Sequence, residues 1–280
     1  MKQLQCGQAL TALFTDEEIC KLLHDCRMQA SYLDGKRILL TRAEHQLESV
    51  SQAVRKQGAI PVYFPCLAVQ SQPEAIKQAV SQLDDYSDVV FTSVNGVQSV
   101  AATAGNLNTV LQSKRIAAVG IKTAEALRLA GVEADIVPED PSQDGLFQAY
   151  LKYGLPRRLM FFRAREGRDA LIRALNSRDI GVLLVPAYRT VCPQDDASEI
   201  IAALEHADID AVLLGSSKAA RYYVQRIGDI GLAGRPRAVA ISEQVARAAR
   251  DAGLDVQIVA KTASFDAMLN ELDEFYKTKS

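Results

Sequence analysis

The chain contains two copies of one pattern, spaced about 120 residues apart. The stretch Lys36-Arg-Ile-Leu-Leu-Thr-Arg-Ala returns as Arg157-Arg-Leu-Met-Phe-Phe-Arg-Ala, so that Arg42 falls on Arg163. Other pairs keep nearly the same spacing, among them Pro65 with Pro186, Gly131 with Gly253, and Asp144 with Asp266. A period of this length exceeds a solenoid repeat and suits a small α/β domain. The chain is therefore predicted to hold two similar domains.

Each copy alternates short apolar runs with longer stretches of helical periodicity, which is typical of successive βα units. Strands are predicted near residues 37–41, 60–64, 88–92, 115–119, 133–137, 158–162, 180–185, 210–214, 237–241 and 255–259. Runs such as Asp88-Val-Val-Phe do not alternate apolar and polar side chains, as expected of strands covered by helices on both faces. The predicted fold class is α/β, with two doubly wound parallel-sheet domains whose functional loops follow the carboxyl ends of the strands.

Two extended segments are predicted to carry the chain between the domains. Residues 62–69 and 183–191 contain Pro65 and Pro186, and the residue before a proline favours extended backbone. Two such segments lying side by side would form a two-stranded crossing with a cleft beside it. A consecutive division near residue 156 is the alternative, and the repeat leaves both open.

The charges nearly cancel, because the chain has 34 acidic and 32 basic side chains and a net charge of −2. No overall field exists that would hold a nucleic acid or an anionic membrane surface. No apolar run approaches the roughly 20 residues of a membrane span, and the N-terminus lacks the pattern of a secretory signal. We expect a cytoplasmic protein without nucleic-acid or membrane partners, and a monomer, since two similar halves can satisfy one another.

The cysteines predict reduced thiols, because five of them at irregular spacing, without a CxxC pair, do not describe a disulfide framework. Cys6, Cys20, His24 and Cys26 form a local group of potential zinc ligands, but their spacing fits no familiar zinc module and helix packing is the favoured interpretation. Neither GxGxxG nor GxxxxGK[ST] occurs. No metal or cofactor is expected.

Residues 1–34 are predicted to be a helical N-terminal extension outside the repeat. Thr15 and Glu18 form a capping-box pattern ahead of Ile19, Leu22 and Leu23.

Four motifs in a fixed order point to a family: Ile38-Leu-Leu-Thr-Arg, Phe91-Thr-Ser-Val-Asn-Gly-Val, Ala118-Val-Gly-Ile-Lys-Thr-Ala and Pro186-Ala-Tyr-Arg-Thr. In their order and spacing the chain resembles uroporphyrinogen-III synthase over roughly residues 36–275. The resemblance implies two α/β domains joined by a two-stranded ladder. One domain would be discontinuous, residues 36–62 plus 192–280, and the other would span residues 68–187.

The resemblance also implies a reaction. Hydroxymethylbilane, a linear tetrapyrrole with eight carboxylates, loses its terminal hydroxyl as water and closes to uroporphyrinogen III with the last ring, ring D, inverted. The family uses no cofactor or metal, and a transient contact with the preceding pathway enzyme is a further expectation. Such a reaction depends on orienting two ends of a flexible chain, which a closing cleft can do.

Tyr188 is the predicted catalytic residue, because it lies on the family's tyrosine position in the second extended segment. Its phenol would assist departure of the hydroxyl, by donating a hydrogen bond more readily than a full proton. The structural alternative is a tyrosine that packs its ring and keeps its hydroxyl in water.

The predicted substrate-binding residues lie at strand ends and helix starts, where hydroxyls, backbone N–H groups and arginine forks can hold carboxylates. They are Arg42, Thr92, Ser93, Gly120, Lys122, Thr123, Arg163, Ser216, Ser217, Lys218 and Ser242. Arg165, Arg168 and Arg189 lie near the same loops. Ordinary helix caps and surface cations are the alternative for each. Gln244 and Val245 replace hydroxyls that are common in the family. This makes an essential role for Thr123 less favoured and a binding role for Ser242 more favoured.

Two other classes of function stay open at this point. Duplicated α/β lobes also describe binding modules that hold a small anion and perform no chemistry. An inactive relative that serves as an interaction partner is the third hypothesis.

Overall fold

The computed structural model describes residues 31–279. Most of the predicted N-terminal extension lies outside the described residues, as do Cys6, Cys20, His24 and Cys26. Residues 31–34, the end of that extension, join the fold. Leu33 is fully buried and the Ser31 hydroxyl donates to Asp273 Oδ1 at 2.7 Å.

Strands and helices alternate along the described chain. The strands are β1 (Arg37–Leu40), β2 (Ile60–Tyr63), β3 (Ala68–Ser71), β4 (Asp88–Phe91), β5 (Arg115–Ala118), β6 (Arg158–Ala164), β7 (Gly181–Val191), β8 (Ala211–Leu214), β9 (Arg237–Ala240) and β10 (Ile258–Val259). The α-helices are α1 (Leu47–Lys56), α2 (Pro73–Val80), α3 (Val94–Ala104), α4 (Leu107–Val110), α5 (Ile121–Leu129), α6 (Gln143–Tyr153), α7 (Ala170–Asn176), α8 (Ser198–Glu205), α9 (Ser217–Ile227), α10 (Ile230–Ala233), α11 (Glu243–Asp251) and α12 (Phe265–Lys277). Within residues 31–279 no helix has the length and apolar character needed to cross a membrane.

The described chain forms two compact units. Unit 1 holds the residues up to Leu67 and from Cys192 onward, and unit 2 is Ala68–Val191. The sheet of unit 1 is parallel, in the order β10-β9-β8-β1-β2, and that of unit 2 has the order β3-β7-β6-β4-β5. Because β1 pairs with β8 and β4 pairs with β6, each sheet takes strands from both copies of the repeat. A consecutive division near residue 156 does not describe this topology.

Both sheets reverse their winding at one point, and these points locate the candidate site. In unit 1 the chain runs outward from β1 to β2 on one side and from β8 through β9 to β10 on the other. In unit 2 the matching reversal lies between β6 and β4. In open α/β sheets a ligand binds beyond the carboxyl ends of the strands at such a switch point.

Helices cover both faces of each sheet, which confirms the predicted doubly wound α/β class. Leu39 packs into one apolar cluster of unit 1 while Ile38 and Leu40 pack into another. In unit 2 Phe162 joins one cluster and Phe161 the opposite one. Full burial of each such side chain contributes about 2 kcal/mol, so the strands are held mainly by their own apolar side chains.

The repeat is visible in backbone conformation as well as in sequence. Gly131 and Gly253 end the turns after α5 and α11 with φ of +82° and +88°. A side chain would be strained in this left-handed region, so glycine is retained in both copies.

One predicted strand is wrong and one strand was not predicted separately. Residues 133–137 form only an isolated bridge between Ile136 and Ala117. The Asp135 carboxylate accepts the N–H of Ile116 at 2.6 Å in place of a backbone carbonyl, and Pro138 has no N–H to extend a ladder. β3 pairs antiparallel with the end of β7, Ala68 with Val191 through Ser71 with Tyr188, so the predicted segments 62–69 and 183–191 meet this pairing only at their ends.

Candidate functional site

In unit 2, the predicted residues gather at three neighbouring strand ends. Thr92 and Ser93 follow β4, Gly120 follows β5, and Arg163 lies near the end of β6. These three strands are adjacent in the sheet, with β4 in the centre. After β4 and β5 the sequence folds this way because Ser93 and Gly120, a hydroxylated and a small residue, start the next helix, whereas a loop separates β6 from its helix.

Ser93 and Tyr188 form a hydrogen-bonded pair at the start of α3. Their hydroxyl oxygens are 2.9 Å apart, and either can donate. Ser93 is also the N-cap of α3, because its Oγ accepts the Gly96 N–H at 3.1 Å. Gly96 lies beside this pair, and a Cβ there would make only ordinary contact with the Tyr188 ring, at 3.9 Å. The phenol therefore ends at the positive end of a helix, which favours negative charge developing nearby.

A register shift in the sheet turns Tyr188 towards Ser93. The pairing of β6 with β7 is regular up to Arg163 and Pro186, then shifts so that Ala164 pairs with Tyr188. The Arg165 N–H donates to the Tyr188 carbonyl at 2.7 Å and fixes the backbone beyond the shift. Tyr188 is 8% exposed and packs with the apolar cluster of unit 2. Its ring is packed, as the structural alternative requires, but its hydroxyl is bonded to another side chain.

Arg163 holds its own loop. Its guanidinium is buried, donates to the Arg168 carbonyl at 2.5 Å and pairs with Asp169 at 2.6 Å. A buried charge that is already neutralised is poorly placed to hold a carboxylate of a ligand. The geometry favours a structural role for this predicted binder.

The other candidates after β5 have differing surroundings. Gly120 caps α5, Lys122 is exposed, and Thr123 is 5% exposed on the inner face of the helix. A side chain at Gly120 would lie 3.1 Å from Pro141. Of the three, Gly120 and Lys122 are accessible from the solvent, whereas Thr123 faces the core.

In unit 1, Arg42 follows β1 and is held from two sides. Its Nε and Nη2 donate to Gln46 Oε1 at 2.9 and 2.6 Å, and the guanidinium lies 5.0 Å from the centre of the Phe265 ring. Partial burial lowers the pKa of Arg42 from its ordinary value, and the neutral amide of Gln46 leaves the positive charge in place. Arg42 is thus oriented and charged, as a carboxylate binder should be.

The helix after β8 starts beside the same ring. Ser216 caps α9 by accepting the Ala219 N–H at 3.1 Å, and Ser217 and Lys218 occupy the half-buried first turn. A Cβ at Gly215 would lie 2.7 Å from Phe265, so only glycine lets the ring pack here. The start of α9 and Arg42 therefore both lie against the ring of Phe265.

Equivalent helix starts recur in both units. Following strands or bridges, they are Ser93, Gly120 and Ser142 in unit 2 and Ser216, Ser242 and Ser264 in unit 1. Ser242 accepts the Val245 N–H at 3.5 Å, a weak cap. Sequence reasoning missed the roles of Ser142, Ser264, Gln46 and Phe265. A serine two positions before Asp144 and Asp266 was the available signal for the two caps.

Unit 2 also contains three further candidate arginines and a depression. Arg165 and Arg168 are exposed, and Arg189 donates to Gln70 at 2.7 Å. A depression of about 370 Å³ in unit 2 is lined by side chains that include Asp140, Asp144 and Tyr153, with none of the predicted site residues. In the part of the chain that the structure describes, His, Cys, Asp and Glu form no metal-binding group.

Comparison with known proteins gives the family. A family model described as uroporphyrinogen-III synthase HemD matches residues 48–270. The uroporphyrinogen-III synthase of Synechococcus elongatus is 30% identical over 200 residues, which cover 69% of this chain and 75% of that protein. The porphyrin biosynthesis protein HemD of Ruminiclostridium josui is 27% identical over 250 residues, 86% of this chain and 49% of that protein, so the chain spans about half its length.

A solved structure supports the fold. The uroporphyrinogen-III synthetase of Helicobacter pylori 26695 matches with a TM-score of 0.57 at 14% identity, covering 86% of this chain and 99% of that one. The family model spans most of both units, and the Synechococcus protein matches over three quarters of its own length. By these matches the chain belongs to the uroporphyrinogen-III synthase family.

Proposed function

We propose that the chain is a uroporphyrinogen-III synthase, a cyclising lyase of tetrapyrrole biosynthesis. One observation carries the proposal: the family model covers residues 48–270, which include every predicted site residue except Arg42. The substrate would be hydroxymethylbilane and the product uroporphyrinogen III, with ring D inverted. The carbon–oxygen bond of the terminal hydroxymethyl group breaks, and the freed carbon bonds to the ring D carbon that already carries a methylene bridge. The bond from that bridge to ring D then breaks and re-forms at the free α-position of the ring, which inverts ring D and closes the macrocycle. The proton lost from that position and the departed hydroxide together make water.

Tyr188 is the proposed catalytic residue. With Ser93 donating to the phenol oxygen, the phenol O–H is left to donate to the departing hydroxyl. The start of α3 adds a partial positive charge where the leaving oxygen gains negative charge. A hydrogen-bonded general acid of this kind typically contributes 10²- to 10⁴-fold to a rate.

Carboxylate binding is proposed for the helix starts of both units and for Arg42. Ser93, Ser216 and Ser242 direct the first-turn N–H groups of their helices, and each helix start attracts anions. Arg42 supplies an oriented guanidinium, and Lys218 lies in the same first turn as Ser217. Gly120 and Lys122 are proposed to act in the same way at α5. The carboxylates lining the depression in unit 2 disfavour an acidic ligand there.

The test is the identity of the product. Hydroxymethylbilane that closes unaided gives the symmetric type I isomer, so isomers separated after incubation report enzymatic inversion directly. We expect the chain to convert freshly made hydroxymethylbilane mainly to the type III isomer. An isomer ratio equal to that of the buffer control would reject the enzyme and favour a binding module or an inactive relative.

The proposal includes a setting for the enzyme. Cys66 and Cys192 are free thiols, which supports a reducing compartment such as the cytoplasm. We propose a monomer that contacts the preceding pathway enzyme only transiently. Light scattering of the purified chain, alone and mixed with the enzyme that produces hydroxymethylbilane, tests both statements.

A further inference from the structure

Arg226 is a buried cation of unit 1 that the proposed reaction does not use. It lies near the end of α9, and its side chain is 3% exposed. A buried charge is costly unless polar partners surround it, so the partners of this guanidinium show what it holds.

The partners of Arg226 come from two segments that are far apart in sequence. One terminal nitrogen, Nη1, donates to the Pro65 carbonyl at 2.5 Å. The other, Nη2, donates to the Asp195 carboxylate at 2.7 Å and to the Asp195 carbonyl at 3.1 Å. The guanidinium also lies 4.1 Å from the centre of the Phe64 ring. One side chain thus binds both segments and stacks on a third residue.

These two segments are the ends of the chain crossings. Unit 1 ends at Leu67, two residues after Pro65, and resumes at Cys192, three residues before Asp195. Beyond these points the chain continues as β3 and β7, which pair so that Ser71 faces Tyr188. Arg226 therefore holds the unit 1 residues just before β3 and just after β7, the strand that carries Tyr188.

We propose that Arg226 is a positioning residue for the reaction: its guanidinium fork fixes the unit 1 ends of both crossings, and through them the strand that carries Tyr188. The inference rests on the proposed function. Lysine would not replace arginine here, because one ammonium cannot reproduce a planar fork that binds two separate segments and stacks on Phe64. Since Asp195 is 65% exposed, its carboxylate alone does not require a buried arginine.

The test compares Arg226→Met and Arg226→Lys with Arg221→Met in the full chain. Arg221 lies on the same helix and is exposed, so it is a matched control. We expect both Arg226 variants to lower kcat on the order of 10-fold with KM changed less than about 2-fold, because misplacement of a reacting group affects turnover. Hydrogen exchange should become faster in residues 64–72 and 186–196 and stay unchanged elsewhere. Arg221→Met should match the wild type in all three measurements.

The outcomes separate the inference from the proposed function. Unchanged kcat in a folded Arg226→Met chain, or unchanged exchange in both segments, overturns the positioning role while the wild type still forms the type III isomer. A wild type that forms only the type I isomer overturns the proposed function itself. If Arg226→Met does not fold, Asp195→Ala provides the second variant, since its side chain is largely exposed. It should speed exchange in residues 186–196 and lower kcat in the same direction, and a variant without either change contradicts the inference.

Discussion

Arg42 of unit 1 and Arg163 of unit 2 occupy equal places in the repeat, yet their surroundings differ. Arg42 is half-buried, is oriented by the neutral amide of Gln46, and keeps its charge. Arg163 is 5% exposed and is paired with Asp169. The neighbouring residues thus set the two matching arginines apart, because an uncharged amide orients one and a carboxylate neutralises the other.

A second difference concerns the phenol. At the spacing that places Pro186 on Pro65, Tyr188 falls on Leu67, so unit 2 alone has a tyrosine at this place. Both units keep a capping serine at the corresponding helix, Ser93 and Ser216. The two units thus share anion-attracting helix starts, whereas the hydroxyl pair is specific to unit 2. We infer that unit 1 binds and unit 2 both binds and performs the chemistry.

The largest expected effect is on Tyr188. In Tyr188→Phe we expect kcat for type III isomer formation to fall about 100-fold, because the hydrogen bond to the departing hydroxyl is lost. The control is Tyr153→Phe, which changes an exposed tyrosine of unit 2 that is not among the predicted site residues. If Tyr188→Phe keeps a kcat close to that of the wild type, the phenol takes no part in the mechanism. The proposed chemical difference between the two units is then also wrong.

The next effect separates the two arginines. Arg163→Met should lower the free energy of unfolding by about 2 kcal/mol, because two charge-assisted hydrogen bonds of about 1 kcal/mol each are lost. Arg42→Met should change stability by less than about 1 kcal/mol but raise KM about 10-fold, since one carboxylate loses its cation. Urea unfolding and steady-state kinetics measure both. The contrast between the two arginines is wrong if Arg42→Met loses the stability and Arg163→Met raises KM, or if both variants show the same effect.

A smaller effect separates the two caps. Ser93→Ala and Ser216→Ala should each lower the free energy of unfolding by about 1 kcal/mol, the usual value of a serine cap. Only Ser93→Ala should also lower kcat, by about 5-fold, because Tyr188 loses its partner. Combined with Tyr188→Phe, the Ser93 change should add little further loss in kcat. Additive losses would mean that the two hydroxyls act separately.

The sequence predicted the strands well because their burial is visible in composition. Near residues 88–92 and 158–162, three and four apolar residues in a row describe a strand covered on both faces, and β4 and β6 lie there. At residues 133–137 the same signal was misleading, because the Asp135 side chain replaces a ladder partner. The short β3 is partly exposed and contains polar side chains, so its sequence does not show the apolar run that would predict a separate strand.

The sequence identified individual site residues, but it did not predict the contacts that these side chains make with one another. Tyr188 and Ser93 were each chosen, but their contact depends on a register shift between Arg163 and Ala164 that no local pattern encodes. Arg163 was assigned to a ligand because a strand-end arginine next to a loop looks the same whether its carboxylate partner is a substrate or Asp169. The role of Gln46 depends likewise on tertiary packing, since Phe265 lies more than 200 residues away in sequence.

The smallest expected effect concerns ion pairs at the opposite ends of the strands. Asp88 of unit 2 pairs with Arg115, whereas its repeat mate Asp210 of unit 1 pairs with Lys36 at 2.9 Å. The hydrogen bond with Asp210 raises the pKa of Lys36 above the ordinary lysine value of about 10.4. A raised pKa means that this stabilisation is complete below about pH 10 and is lost as pH rises through the folded-state pKa.

Lys36→Arg would give unit 1 the arginine–aspartate pair that unit 2 already has. At pH 8 we expect its free energy of unfolding to equal that of the wild type within about 0.3 kcal/mol. Above pH 11 the variant should be more stable by about 0.5 kcal/mol, a value kept small because the pair is partly exposed and screened by water. Lys77→Arg, in an exposed pair with Glu74, is the control for replacing a lysine by an arginine. If the difference in free energy of unfolding between Lys36→Arg and the wild type did not change with pH, the charge on residue 36 would not stabilise unit 1. Asp88 and Asp210 would then differ in more than the cation that each one pairs with.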